Sequence, residues 1–329
     1  MHAVTPDTPL EEIFGFSEFS GMQGQFIASG SDWFTGAKST WTLRDIQREQ
    51  PTWDPQDMAD GLNRLLAIAR RNEPFVFSLA GGARLIAMPA DRRSCDPACL
   101  LLAGGAYGAV CSMAEAFPVA ARLNALGVDC WCLNYQTATV GSMTHGLMPQ
   151  PLDDTAEAVR FLSKRCPGRS YVMAGFSAGG HVCSLWGTDH LGYGRYGLPQ
   201  PEALLLAYPL TSLNAIPSGP VKDFMLQGLF GTGHNQQQTD QYSAPGHIGP
   251  AYPPTWILRA SDDSTIPEKD TEAMITSLEK ENVLCHLETV AFGGHGFGLG
   301  SQTAASGWVD RAWSWANEIY LKRGMHPDG

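Results

Sequence analysis

The stretch Gly175-Phe176-Ser177-Ala178-Gly179-Gly180 places a serine between glycines, directly after an apolar run. The run Tyr171-Val172-Met173-Ala174 is typical of a buried strand, and the residues after the glycines are typical of a helix. A serine at such a turn adopts a strained backbone, and small neighbours let the strand and the helix pass closely. The stretch therefore predicts a nucleophile elbow, with Ser177 above a sheet and the N–H of Ala178 facing a developing oxyanion.

Two later segments offer partners for Ser177. The strand-like residues Thr255–Ala260 lead into a polar loop with the adjacent acids Asp262 and Asp263. Adjacent side chains diverge, so only one acid can meet a histidine; we expect this to be Asp263, with Asp262 bracing the loop. A further strand-like run ends in a glycine-rich loop that carries His295. This order predicts a triad in which the imidazole takes the serine proton and the carboxylate fixes the imidazole tautomer.

A second histidine, His181, lies four residues after Ser177. On a helix it would sit one turn below the nucleophile and face along its stem rather than its hydroxyl group. We therefore interpret His181 as a packed helix residue and not as the base.

The loop Gly104-Gly105-Ala106-Tyr107-Gly108 follows a short apolar run at residues 99–103. Glycines in such a loop let main-chain N–H groups converge on a ligand, and one donor of this kind can contribute about 2.7–4 kcal/mol in the transition state. The loop is therefore predicted to supply a second oxyanion donor. Tyr107 and Phe297 flank the predicted site and are candidate substrate-binding residues, although each also suits a core position.

These motifs together resemble the esterase and lipase branch of the α/β-hydrolase superfamily, especially the small carbohydrate esterases related to acetyl-xylan esterases. The resemblance covers roughly residues 75–320. The segments that carry it are residues 103–107, 117–127, 151–154, 175–181, 263–267 and 293–300.

The resemblance implies two groups of site residues. These are Ser177, Asp263 and His295 as the triad, and the N–H groups of Gly105, Ala106 and Ala178 as the oxyanion hole. Ala106 departs from the family pattern, because the relatives carry a third glycine there. Its N–H is retained, while its methyl group is expected to narrow the acyl pocket or tilt the donor.

Beyond residue 75, short β-like runs alternate with helical stretches. The predicted strands are residues 75–79, 84–88, 100–103, 128–135, 171–174, 203–207, 255–260 and 285–291. The predicted helices are residues 113–126, 154–163, 178–186, 268–280 and 304–321. Such alternation predicts an α/β-hydrolase fold with a mostly parallel eight-stranded sheet and helices on both faces.

Two segments lie outside this pattern. Residues 1–74 are an N-terminal extension to the catalytic domain at residues 75–329, and Asp54-Pro55 predicts an N-cap and first turn of a helix within it. We expect the extension to pack on the core or to form a homo-oligomer contact rather than to act in catalysis. Residues 211–253 form a long insertion. Two interpretations of it stay open: a lid over Ser177, or a surface insertion with a helix at residues 221–230.

Composition limits the partners. The chain has 329 residues, 43% of them hydrophobic, and a formal net charge of −11, without a basic run. This argues for one large globular core, against nucleic acid, and for a neutral substrate.

The eight scattered cysteines suit reduced thiols, and no zinc-like ligand pairs are evident, so no metal or other cofactor is expected. Without a secretory signal or a membrane-spanning run, we expect a cytoplasmic protein with no membrane partner.

These observations predict a metal-independent serine hydrolase that cleaves carboxylic esters through an acyl-enzyme. By resemblance, the substrate is a short acyl ester, such as an acetyl ester of a small molecule or sugar. One alternative is a serine peptidase or amidase of the same fold, although some seventy residues are too few for the propeller domain of prolyl oligopeptidases. The other is a non-catalytic binding protein, which the intact triad residues disfavour.

Overall fold

A central eight-stranded sheet organises the protein, whose computed structural model describes residues 3–22, 24–29, 39–92 and 97–325. The strands in these residues are β1 (Ala28–Ser29), β2 (Val76–Ser78), β3 (Arg84–Met88), β4 (Ala98–Leu102), β5 (Ala109–Val110), β6 (Cys130–Asn134), β7 (Tyr171–Phe176), β8 (Leu204–Ala207), β9 (Thr255–Ala260) and β10 (Cys285–Val290).

The strand order in the large sheet is β10-β9-β8-β7-β4-β6-β3-β2. Only β3 pairs antiparallel with its neighbours β2 and β6; the other pairs are parallel. The prediction of a mostly parallel eight-stranded α/β-hydrolase sheet is therefore confirmed. Every residue of β4, β6, β7, β8 and β9 is buried, which explains why these strands read as continuous apolar runs.

The helices of the described residues include the crossover helices that parallel strands require. They are α1 (Leu10–Gly15), α2 (Leu43–Glu49), α3 (Pro55–Ala69), α4 (Ala116–Ala125), α5 (Ser142–His145), α6 (Gln150–Arg165), α7 (Ser177–Trp186), α8 (Pro220–Phe230), α9 (Gln236–Gln241), α10 (Glu268–Lys280) and α11 (Trp308–Met325). The short elements α1, α2, α5, α9, β1 and β5 were not predicted, because too few residues carry their periodicity.

The extension packs onto the catalytic domain. Helix α3 begins at Pro55. The carboxylate of Asp54, its N-cap, accepts hydrogen bonds from the N–H groups of Gln56 and Asp57, and the buried face of the helix contacts α4. Strand β1 pairs antiparallel with β5, immediately after the glycine-rich loop. The extension is thus brought beside the predicted oxyanion loop. The proposed boundary at residue 74 and an oligomer contact through the extension stay predictions.

Within the described residues, no helix combines the length and the apolar character needed to cross a bilayer. The same part of the chain holds no cluster of three or more His, Cys, Asp or Glu side chains that could bind a metal ion. Seven cysteines are free thiols, and the eighth, Cys95, lies outside the described residues.

Candidate active site

The elbow lies where β7 ends at Phe176 and α7 begins at Ser177. Ser177 has a φ of 48°, in the left-handed region that non-glycine residues rarely adopt. Gly179 lets the helix pass close to the sheet, since a Cβ atom there would lie 2.0 Å from the carbonyl oxygen of Leu102. This close packing holds the strained serine at the end of the central strand.

The carboxyl ends of β7, β9 and β10 lie at one edge of the sheet because these strands are parallel. The loops after them bring the three predicted triad residues together. His295 Nε2 lies 2.8 Å from Ser177 Oγ, and His295 Nδ1 lies 2.8 Å from Asp263 Oδ2. Because the Asp263 carboxylate accepts a hydrogen bond from the N–H at Nδ1, the lone pair on Nε2 faces the serine hydroxyl group. The arrangement allows proton transfer from Ser177 to His295.

The adjacent acids make different contacts. Asp263 is nearly buried and also accepts hydrogen bonds from the N–H groups of Thr265 and Ile266. Asp262 Oδ1 accepts from the N–H groups of Gly293 and Gly294, just before the histidine. Asp262 therefore braces the histidine loop, while Asp263 orients the imidazole.

The predicted oxyanion donors lie on two segments. Gly105 and Ala106 both have positive φ angles, 134° and 51°. Among the described residues, no acceptor pairs with the N–H group of either one. Ala178 lies in the first turn of α7, where an N–H group has no acceptor within its own helix. All three N–H groups are thus available as donors.

Tyr107 and His181 tie the oxyanion loop to α7. Tyr107 Oη lies 2.6 Å from His181 Nδ1, and His181 Nε2 lies 2.7 Å from the carbonyl oxygen of Tyr242. Because a carbonyl oxygen only accepts, Nε2 carries the proton and Nδ1 accepts from the tyrosine. Burial lowers the pKa of His181 to about 4, so the imidazole is neutral near pH 7. His181 is a packed helix residue whose two ring nitrogens pair with Tyr107 and Tyr242 and not with the Ser177 hydroxyl group.

Phe297 lies in the core, which is one of the two positions that the sequence suits. Its side chain is 1% exposed and packs edge-on against Tyr208, with ring centroids 4.6 Å apart. The glycines around it turn the chain so that the ring packs into the core. A substrate-binding role for Phe297 stays a prediction. Tyr107 is equally buried, but one side of it borders a cavity.

Sequence reasoning missed Glu115, which lies behind the oxyanion loop. Its side chain is buried, at 2% exposure, and its two oxygens accept hydrogen bonds from the N–H of Gly104 and the hydroxyl group of Tyr208. Burial raises the pKa of Glu115 to about 7, against the effect of these two donors and of His295. The available signal was a single acid inside the otherwise uncharged run of residues 109–121.

A cavity of about 300 Å³ lies beside Ala106. Helix α8 of the insertion forms one of its walls. Its lining residues are almost all apolar or small: Ala106, Tyr107, Gly108, Ala138, Thr139, Val140, Met143, Phe224, Met225 and Gly228. The insertion therefore contributes to a pocket that adjoins the predicted oxyanion loop.

The chain is similar to several known hydrolases. No protein-family model matches the chain. An acetyl ester-xyloside bifunctional hydrolase from Caldicellulosiruptor lactoaceticus is 27% identical, with a TM-score of 0.60 over 73% of this chain and 89% of that one. A carboxylesterase from Lactobacillus plantarum WCFS1 shares the fold at 20% identity, with a TM-score of 0.58 over 78% of this chain and 97% of that one.

A curated relative is more distant. Endo-1,4-beta-xylanase B of Butyrivibrio fibrisolvens is 25% identical over 221 residues, which are 64% of this chain. The matched region spans about a third (34%) of the length of that xylanase.

Proposed function

We propose that this chain, which has the α/β-hydrolase fold and resembles the carboxylesterases of that superfamily, hydrolyses carboxylic esters through an acyl-enzyme on Ser177. The observation that carries the proposal is the continuous hydrogen-bonded series from Asp263 through His295 to Ser177. A serine hydroxyl group is a weak nucleophile unless a base accepts its proton, and this series supplies the base in its correct tautomer.

The proposed reaction has two steps. Ser177 Oγ attacks the ester carbonyl carbon while His295 Nε2 takes its proton, and the resulting oxyanion is bound by the N–H groups of Gly105, Ala106 and Ala178. The carbon–oxygen bond to the alcohol then breaks, and His295 returns the proton to the departing oxygen. Water, activated by the same imidazole, hydrolyses the acyl-enzyme and releases the acid.

The substrate is proposed to be a neutral ester with a short acyl group, such as acetyl on a small molecule or sugar. The net charge of −11 disfavours anionic substrates. The relative from Caldicellulosiruptor lactoaceticus named above is an acetyl ester-xyloside bifunctional hydrolase. Ala106 lines the cavity, and we expect its methyl group to limit the space next to the ester carbonyl.

A second candidate, a larger apolar acyl group, is favoured by the cavity. The departing oxygen has to face His295, and no residue of the histidine loop lines the cavity, which supports the proposal that the cavity takes the acyl group. The hydroxyl groups of its polar residues already have partners, Thr139 with Ser142 and Tyr107 with His181. A cavity of about 150 Å³ can hold benzene, so this one has room for an aryl or medium alkyl group.

The test is labelling with a fluorophosphonate probe, followed by hydrolysis of 4-nitrophenyl esters from acetyl to octanoyl. We expect label on Ser177 and turnover of at least the acetyl ester. Absence of both would refute the function. A matched anilide cleaved faster than the ester would favour the peptidase or amidase alternative.

The proposed location is the cytoplasm. It is supported by the seven free thiols, since a reducing compartment keeps cysteines unpaired. Cell fractionation with an antibody against the chain would test it.

A further inference from the structure

Glu115 lies between two loops of the site. Its Oε2 accepts a hydrogen bond from the N–H of Gly104, the residue before the predicted oxyanion donors. Its Oε1 accepts from Tyr208 Oη at 3.0 Å. One carboxylate therefore contacts the oxyanion loop directly and the loop after β8 through a tyrosine.

Tyr208 extends this contact to the histidine loop. Its hydroxyl oxygen accepts a hydrogen bond from the N–H of Gly298 at 2.9 Å. Its ring packs edge-on against the imidazole of His295, with centroids 5.2 Å apart. Tyr208 has a φ of 38°, an outlier for a bulky residue, and such strain is kept where the surroundings enforce it.

The hydrogen bonds require the ionised carboxylate. Because the Tyr208 hydroxyl group already accepts from Gly298, its own proton is directed to Glu115. Both carboxylate oxygens then receive a donor. A protonated Glu115 carries a hydrogen on one oxygen, and neither the Gly104 N–H nor the tyrosine proton can accept it. Protonation therefore removes one of the two hydrogen bonds or forces the Tyr208 hydroxyl group to turn its own proton away and accept instead.

We propose that ionised Glu115 is a positioning residue that holds the oxyanion loop and the histidine loop in register through Tyr208. The inference rests on the proposed hydrolase function. It assigns to Glu115 no contact with substrate: the carboxylate acts by fixing Gly104, and thereby the following amides, relative to His295.

Few other groups near Glu115 could cause a change of activity with pH. They are Tyr208, Cys111, Tyr135 and His295. Burial, with the nearby Glu115 carboxylate, raises the pKa values of the first three well above their usual ranges, so they stay neutral near pH 7. The pKa of Glu115 itself is raised to about 7, so this group loses its proton within the working range of an esterase.

The test is the pH dependence of kcat/KM for 4-nitrophenyl acetate in the wild type and in Glu115→Gln. Two deprotonations, of the imidazole and of Glu115, are needed in the wild type, so the acid limb of log kcat/KM should approach a slope of about 2. In Glu115→Gln the slope should fall to about 1. We expect kcat to fall roughly 10- to 100-fold with KM changed less than about threefold, because loop placement is lost and not substrate contact.

Tyr208→Phe is the second variant, because it keeps the ring and removes only the hydroxyl group. Losing a donor to the charged carboxylate raises the pKa of Glu115 further, so the acid limb should move to higher pH. The matched control is Asp270→Asn. Asp270 is also buried, also binds two backbone N–H groups, of Thr211 and Ser212, and burial also raises its pKa to about 7. It lies outside both catalytic loops.

A lower Tm in Glu115→Gln, with the wild-type slope retained as in Asp270→Asn, would make Glu115 merely structural and overturn the proposal. If Glu115→Gln does not fold, an unmoved acid limb in Tyr208→Phe overturns it instead. A wild type that neither hydrolyses the ester nor takes the fluorophosphonate label refutes the hydrolase function itself, which is a different outcome.

Discussion

Thr52 Oγ1 donates a hydrogen bond to the backbone carbonyl oxygen of His295 at 2.7 Å, across 243 residues of sequence. Thr52 lies in the N-terminal extension, and His295 lies on a loop whose glycines provide no stiffness of their own. The extension therefore supports the predicted base directly. We expected the extension to pack on the core or to form an oligomer contact, and this hydrogen bond adds a direct contact with the histidine loop.

Replacing Thr52 by Val should remove this support while keeping the side-chain shape. A hydrogen bond of this kind contributes about 1 kcal/mol, so we expect kcat to fall roughly fivefold. Thr52→Ser, which keeps the donor, is the control. The measurement is kcat for ester hydrolysis by the two variants. Equal kcat values for Thr52→Val and Thr52→Ser would show that this hydrogen bond does not support the site.

Ser177→Ala should abolish both ester hydrolysis and fluorophosphonate labelling. The change removes the nucleophile and almost no volume, so the folded state should survive, as Tm and circular dichroism can show. Retained labelling in this variant would mean that another residue is the nucleophile.

The two adjacent acids should differ strongly. Asp263→Asn disturbs the hydrogen bond that sets the imidazole tautomer, and turnover should fall by about 10⁴-fold. Asp262→Asn keeps an oxygen that can accept from Gly293 and Gly294, so its loss should be about tenfold or less. Steady-state kinetics on the acetyl ester compares them, and a reversed order would contradict the assignment.

Gly228→Val should narrow the cavity beside Ala106. A Cβ atom at this position lies 3.5 Å from Ala138 Cβ and 3.7 Å from Met143 Sδ, which is ordinary contact, so the helix accepts a Cβ atom there. If the cavity binds the acyl group, the ratio of hexanoyl to acetyl turnover should fall roughly tenfold. Asp223→Ala, an exposed change on the same helix, should leave the ratio unaltered. An unchanged ratio in Gly228→Val would remove the cavity from acyl binding.

The predicted sheet and the elbow came from local patterns. Continuously apolar runs predict strands that are covered on both faces. The turn around Ser177 is predicted from six adjacent residues. The order of the acid and the histidine followed from the same strands, because parallel strands carry their loops to one edge. These features depend on burial and backbone geometry within a few residues.

No local sequence pattern predicts three other features of the site. They are the partners of Glu115, the placement of Phe297 and the contact of Thr52 with His295. Each depends on how far a loop turns and on which distant side chain it then meets: Glu115 and Tyr208 are 93 residues apart. A glycine-rich loop permits several directions for Phe297, and the core packing around Tyr208 selects one. Local sequence therefore specifies which elements form and where the reactive groups lie, whereas their alignment comes from long-range packing, because hydrogen-bond geometry across loops exists only in the folded chain.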